Sequence, residues 1–389
     1  MEPFALERYF ARYEFTAPYL LSPSDTEPWT LVDLLARADS ESRAAWESLT
    51  LGYTESRGLP ALRDAIARFI TESNRAPDSS ITADDVLVFS CAEEAIYTVA
   101  RVLVRPGDTV ACVWPAYQSL YQVALECGAS VRPIPAVRTT GEWDLSAEAI
   151  ERAICPGTRL VIVNVPHNPT GLILSKERWA HLTTKARDVG AVLFADEVYR
   201  PLVRRGRTMI QSPIISADTP SISLGSVSKA FGLAGVRIGW VATRDRNLLQ
   251  RLEEYKDYTT ICASAPAEVL ALIALRSWRN IVADQELIIE RNAQLFAQFT
   301  SDHSELIAPV PSAGGSTCFP LWSGRGTAHE MAQRAVREFG VMVLPGEVFD
   351  PRSNLGSGIN LSHRFRVGLG RKGFPEVLDR YDSFLKASR

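Results

Sequence analysis

The stretch Ser226-Val227-Ser228-Lys229-Ala230-Phe231-Gly232-Leu233-Ala234-Gly235-Val236-Arg237-Ile238-Gly239-Trp240 places one lysine just after an apolar run and among small hydroxyl residues. Glycines follow at 232, 235 and 239, and an arginine stands eight positions beyond the lysine. Taken alone, a lysine between strand and loop is ordinarily a solvated charge. In this setting, glycines let the backbone pass close to a ligand, and Arg237, permanently charged and planar, suits a phosphate dianion.

Working outward, residues 60–245 alternate short β-rich apolar runs with amphipathic stretches of helical length, the pattern of a mostly parallel sheet covered by helices. The expected strands are Val86–Ser90, Thr109–Trp114, Ser130–Pro133, Leu160–Asn164, Ala191–Ala195, Ser221–Leu224 and Arg237–Ala242, with helices such as Glu93–Val104 and Lys176–Val189 between them. Pro106, Gly107, Gly128 and Gly190 punctuate the joins. Arg244 to Arg276 reads as one long helix. Beyond Gln285 a second unit is expected, with a helix Leu287–Thr300, strands around Cys318–Trp322 and Val341–Leu344, and closing strand and helix segments from Arg364 to Ala387. The division reads as an N-terminal segment 1–45 packing on the small unit and shaping the site, a large domain 46–280 and a small α+β domain 281–389. The fold class is α/β.

The chain has 389 residues, 42 basic and 45 acidic, for a formal net charge of −3. That balance marks neither a nucleic-acid footprint nor a surface for anionic membranes. MEPFALERYFARYEF is not a secretory leader, and no apolar run approaches the ~20 residues of a membrane span, so a cytoplasmic location is expected. The six cysteines are widely spaced, without metal-ligand intervals, and read as reduced.

Other segments carry chemistry. Ala195-Asp196-Glu197-Val198-Tyr199 ends an apolar strand and sets a carboxylate at the carboxyl edge of the sheet, where α/β proteins hold ligands. Asn164-Val165-Pro166-His167-Asn168-Pro169-Thr170-Gly171 follows another strand; His167 either supports this loop or touches substrate. Ser90-Cys91-Ala92-Glu93-Glu94-Ala95 joins a strand to a helix whose first turn offers free N–H groups to an anion. Trp114-Pro115-Ala116-Tyr117 and Phe365-Arg366-Val367-Gly368 complete the set, with Gly52-Tyr53-Thr54 followed by Gly58-Leu59-Pro60-Ala61-Leu62-Arg63.

Together these segments resemble the class I/II aminotransferase superfamily, in the family's order, from about residue 50 to 370. The lysine text is similar to its Ser-x-Ser-Lys-x-(Phe/Tyr)-Gly-x-x-Gly-x-Arg-x-Gly signature. The resemblance implies a fold type I enzyme using pyridoxal 5′-phosphate, with Lys229 as the Schiff-base and proton-transfer residue and Ser226, Ser228 and Arg237 about the phosphate. Such a lysine must lose its proton near neutral pH, which desolvation and neighbouring positive charge favour. Asp196 is then the partner of the ring nitrogen, and Asn168 and Tyr199 bind the ring's phenolic oxygen. Tyr117 stacks on the ring, and the amides of Cys91, Ala92 and Glu93 cradle the phosphate, Cys91 standing where the family usually has glycine. Tyr53 reaches the phosphate of a neighbouring subunit, implying a homodimer with shared sites. Arg366 binds the α-carboxylate of an amino-acid substrate.

The same resemblance implies an enzyme that labilises a Cα bond of an L-amino acid through an external aldimine, most simply an aminotransferase. Glu7-Arg8-Tyr9-Phe10, Lys256-Asp257-Tyr258-Thr259-Thr260, Pro166-His167-Asn168-Pro169 and Gly314-Gly315-Ser316-Thr317 are also similar to capreomycidine synthase-like enzymes. That likeness keeps elimination, cyclisation or β/γ-replacement of natural-product pathways open, on an arginine derivative or S-adenosylmethionine. In Ser22-Pro23-Ser24-Asp25-Thr26-Glu27, Asp25 and Glu27 are candidates for a cationic substrate end, a solvated turn being the alternative.

Overall fold

The computed structural model describes residues 1–78, 81–139, 141–216, 218–350, 355 and 358–387. The chain opens with helix α1 (Ala5–Tyr13), a short strand β1 (Tyr19–Leu20) and helices α2 (Leu31–Leu35), α3 (Ser40–Glu47) and α4 (Pro60–Ser73). Eight strands then build the central sheet: β2 (Val86–Phe89), β3 (Thr109–Trp114), β4 (Ser130–Thr139), β5 (Glu142–Leu145), β6 (Thr158–Asn164), β7 (Val192–Asp196), β8 (Ser221–Ser226) and β9 (Gly239–Ala242). Their spatial order is β2-β9-β8-β7-β6-β3-β4-β5. From β8 through β7, β6 and β3 to β4 every pairing is parallel, while β9 runs against both β8 and β2. The middle strands are buried on both faces, which is why they read as continuous apolar runs without alternation.

Two sequence expectations are corrected. Strand β4 runs on past Pro133 to Thr139 and turns back as β5, a strand the sequence reading did not contain. Pro133 and Pro135 fit because that part of β4 pairs only with β3, and β5 joins it from Ala136 onward, so neither proline owes a hydrogen bond on the outer side. The single helix expected over Arg244–Arg276 is two helices, Arg246–Lys256 and Ala265–Arg276. Pro266 occupies the first turn of the second, where a missing N–H costs nothing, whereas inside one long helix it would remove a bond and clash. Ile261, with φ 65°, turns the chain between them.

The helix Trp278–Asp302 leads into β10 (Ile307–Ala308), β11 (Thr317–Cys318), β12 (Leu321–Trp322), β13 (Val341–Met342), β14 (Leu344–Pro345) and β15 (Phe365–Gly368), with helices Ala328–Phe339 and Phe374–Ala387 against them. It begins at Trp278, earlier than the expected Leu287. The N-terminal segment is stitched into this part. Strand β1 lies parallel to β13, with Tyr19 opposite Val341, and Tyr9 Oη donates to Val343 O at 2.7 Å. The N–H of Leu21 bonds Met342 O, and Leu21 O accepts from Gly368 N at 2.8 Å. A Cβ on Gly368 would lie 1.8 Å from Pro23 O, so only glycine lets residues 22–24 cross here.

Candidate active site

Three adjacent strands end side by side: Asn164 closes β6, Asp196 closes β7 and Ser226 closes β8. Asn164 and Asp196 are register partners. Asn164 donates through Nδ2 to Asp196 O at 3.1 Å and accepts from Asn168 N at 2.7 Å, fixing the loop that carries Asn168. Beyond β8, Ser228 N donates to Ser226 Oγ at 3.0 Å and the two hydroxyls lie 2.8 Å apart. This turn delivers Lys229 to a cavity of about 430 Å³, where its Nζ donates to Ser24 Oγ at 3.2 Å.

Because β2 is antiparallel to β9, and β9 to β8, β2 ends on the same edge as β8. Helix α5 (Ala92–Leu103) therefore starts beside the lysine, and Ala92 and Glu93 line the cavity. A Cβ on Gly239 would stand 2.5 Å from Ala92 N, so glycine keeps that helix start against the sheet. Cys91 precedes the helix with φ 141° and lines a neighbouring pocket. Arg237, at φ 58° and exposed, lines the cavity and donates to Ala234 O at 2.9 Å.

The electrostatics are set by burial. Asp196 accepts from Val198 N at 3.2 Å, yet burial pushes its carboxyl up to about 7, against the lowering influence of that bond and of Lys229. Burial likewise raises Glu93 to about 7. Tyr199, 3% exposed, lines the cavity with a hydroxyl that has no hydrogen-bond partner among the described residues. Arg366 is 1% exposed, and burial lowers its guanidinium to about 10, still charged at neutral pH. Its Nε and one terminal nitrogen donate to Ser22 O at 3.0 and 2.9 Å, and the other donates to Asn168 Oδ1 at 3.1 Å.

Of the residues singled out in the sequence, Tyr117, Asn168, Asp196, Tyr199, Ser226, Ser228, Lys229, Arg237, Arg366, Asp25, Ala92 and Glu93 meet in this one cavity. Tyr53 does not; it is 91% exposed. Glu27 does not either: its carboxylate accepts from Lys372 N at 2.8 Å. Asp25 borders the cavity but is paired with Arg371 at 2.8 and 3.0 Å. His167 lies outside the lining, buried, with Nδ1 2.8 Å from Thr170 Oγ1, and burial lowers its ring to about 4, so it is a neutral support of the loop.

Sequence reasoning expected the first 45 residues to shape the site and quoted Glu7-Arg8-Tyr9-Phe10, but it assigned no role to Ser24, to Asn164 or to Leu6, Glu7, Phe10 and Glu14, all of which border the cavity. Tyr117 Oη donates to Glu7 Oε1 at 3.0 Å. The signal for α1 was present as apolar Leu6 and Phe10 at a spacing of one turn, with Glu7 and Glu14 two turns apart.

These residues fit pyridoxal phosphate. A buried carboxylate without a cationic partner suits a protonated ring nitrogen, Tyr199 has an unpaired donor, and the free amides of α5 beside Ser226, Ser228 and Arg237 suit a phosphate.

Comparison with known proteins agrees. Residues 30–371 match the family described as aminotransferase class I and II. The chain is 29% identical over 312 residues to the arginine–pyruvate transaminase AruH of Pseudomonas aeruginosa, covering 79% of this chain and 78% of that one. It is 30% identical over 270 residues to capreomycidine synthase of Streptomyces vinaceus, covering 69% and 68%. A solved PLP-dependent aminotransferase from Streptococcus suis superposes with a TM-score of 0.88 at 26% identity, covering 100% of this chain and 98% of that one. Fold, site and relatives therefore converge: this chain belongs to the aminotransferase class I and II family, a fold type I enzyme dependent on pyridoxal 5′-phosphate.

Proposed function

We propose that this enzyme transfers the α-amino group of an amino acid to a keto acid, with Lys229 as the residue that moves the proton at Cα. The observation that carries this reading is the meeting of Lys229, Asp196 and Arg366 in one cavity. When bound, pyridoxal phosphate supplies an aldehyde that condenses with amines and a cationic ring that accepts electron density from Cα. Asp196 would hold the proton at the ring nitrogen, since a cation there would restore the ionised carboxylate that burial disfavours. Asn168 and Tyr199 would hold the cofactor's phenolic oxygen, and Tyr117, braced by Phe4 at 4.9 Å between ring centroids, would cover the ring. Arg366 receives the substrate α-carboxylate: three of its five N–H groups serve Ser22 and Asn168, leaving two to form a fork.

The exposed Tyr53, with Leu51, Tyr258 and Ile261 also exposed, supports a homodimer in which Tyr53 reaches the partner's phosphate site. Six free cysteines support a reducing, cytoplasmic location. The chain divides into a sheet-bearing large domain and a smaller C-terminal one, with the N-terminal segment packed on the latter. A cyclising or eliminating reaction is the second reading, favoured by the identity to capreomycidine synthase.

Incubating the purified yellow enzyme with a panel of amino acids separates the two. Transamination predicts bleaching of the cofactor band to that of pyridoxamine phosphate, reversed by pyruvate, with a keto acid as product. Conversion to a dehydrated or cyclised product without a keto-acid requirement would replace the first reading by the second.

A further inference from the structure

We infer that the substrate's side chain carries a positive charge, a guanidinium or ammonium group, and that Glu7 and Glu14 of the N-terminal helix receive it. This rests on the aminotransferase reading of the same cavity and adds the substrate class.

Five carboxylates border the cavity, Glu7, Glu14, Asp25, Glu93 and Asp196, against three cations, Lys229, Arg237 and Arg366. On the proposed reading each cation has an assignment: the cofactor aldehyde, the phosphate and the substrate carboxylate. Asp196 answers the ring nitrogen, and Asp25 is neutralised by Arg371 at 2.8 Å. Glu93 sits at the start of α5 and accepts from Ser119 Oγ at 3.2 Å. Glu7 and Glu14 are left over. Both are half-buried, and among the described residues neither forms an ion pair; the one side-chain partner recorded for Glu7 is the neutral hydroxyl of Tyr117. Burial raises the pKa of Glu14, the like charges of Asp25 and Glu7 raise it further, and Arg371 and Lys229 act against them.

Two independent features show that a ligand belongs here. The guanidinium of Arg366 is 1% exposed and has no carboxylate partner among the described residues, and the Tyr199 hydroxyl is buried, unpaired and part of the cavity lining. The layout gives the ligand a direction. Arg366 lies over the Phe10 ring, 5.5 Å from its centroid, and Glu7 and Phe10 of α1 and Glu14, the residue that caps its C-terminus, all border the cavity. A substrate whose carboxylate sits on Arg366 runs its methylenes past Phe10 and Leu6 and ends beside the two glutamates. An acidic side chain would be repelled by the two carboxylates there, and an apolar one would desolvate them without compensation.

The test is binding of an unreactive analogue series to the holoenzyme, followed by calorimetry and by the shift of the cofactor absorbance. δ-Guanidinovalerate, valerate and glutarate each offer a carboxylate to Arg366 but lack the α-amino group, so no turnover intervenes. We expect δ-guanidinovalerate to bind at least about tenfold tighter than valerate, and glutarate to bind more weakly than valerate. Glu14→Gln and Glu7→Gln should each reduce that preference, and the double variant should abolish it. Equal or tighter binding of valerate or glutarate by the wild type overturns the inference, as does a preference that survives in the double variant. Amino-group transfer to pyruvate, assayed in parallel with arginine, lysine, leucine and glutamate, tests the underlying reading separately. If none reacts, transamination fails while the binding series still judges the charge selectivity.

Discussion

The floor of the cavity is made of strand ends: Asn164, Asp196 and Ser226 finish β6, β7 and β8, and Lys229 follows within three residues. The roof is made of α1 and residues 22–25, held over the floor by the pairing of β1 with β13 and by Tyr9 on Val343. Floor residues are positioned by a hydrogen-bonded sheet buried on both faces, and the proposed function gives them the bond-breaking chemistry. Roof residues are positioned by contacts between segments more than three hundred positions apart in the chain, Tyr19 with Val341 for example. On the proposed reading this is a division of labour in which one surface fixes the reaction and the other selects what enters it.

Replacing Lys229 by alanine strikes the floor hardest. It should lower turnover by about ten-thousandfold, the upper range for a positioned acid–base group. It should also abolish the yellow absorbance of the lysine-bound cofactor while leaving far-ultraviolet circular dichroism unchanged. A variant that retained both turnover and colour would remove Lys229 from the centre of the site.

Asp196→Asn should cost about a thousandfold in turnover, and it also carries a signed stability prediction. The folded carboxyl titrates near 7, above its ordinary 3.8, so across that interval the folded protein keeps a proton that the unfolded chain releases. Its contribution to stability is therefore greatest at low pH and declines as pH rises toward 7. Melting of cofactor-free protein should show the asparagine variant gaining on wild type as pH rises, by on the order of a few kcal/mol near pH 8 and little near pH 4. A wild-type advantage that widens with pH would reverse the assignment.

The smallest effect belongs to the roof. Tyr9→Phe deletes the bond to Val343 O and should cost about 1 kcal/mol of stability. It should raise KM a fewfold while kcat stays near wild type. An equal fall in kcat would show that the roof shapes the chemistry as well as the entry, and the division drawn above would fail.

The legibility of the two surfaces in the sequence differs for the same physical reason. Asp196, Asn168, Ser226, Lys229 and Arg237 stand in short contiguous motifs at the ends of apolar runs, so local sequence carried both strand and site. The strands β3, β6, β7 and β8 lie within two residues of expectation. Glu7 and Phe10 stand in a quoted stretch that names no role, Glu14 and Ser24 were given none, and their place over the lysine follows only once β1 joins β13. Asp25 and Glu27 illustrate the cost of reading charge without contacts: both were candidates for a cationic substrate end, and the fold gives them to Arg371 and the Lys372 amide. The break between Lys256 and Ala265 was present in the sequence as Ser264 and Pro266, a helix start that the surrounding apolar pattern obscured.

The buried carboxyl of Asp196 has a consequence for the lifetime of the folded chain. A ligand that binds only the folded protein stabilises it by an amount that grows with the logarithm of its free concentration. A ligand that also brings a cation to Asp196 removes the burden of ionising that group in the interior. Cofactor-loaded protein should therefore resist unfolding, and the proteolysis that follows unfolding, better than cofactor-free protein. Limited proteolysis of the two forms in parallel should show the cofactor-free polypeptide cleaved faster, and adding pyridoxal phosphate should slow its loss.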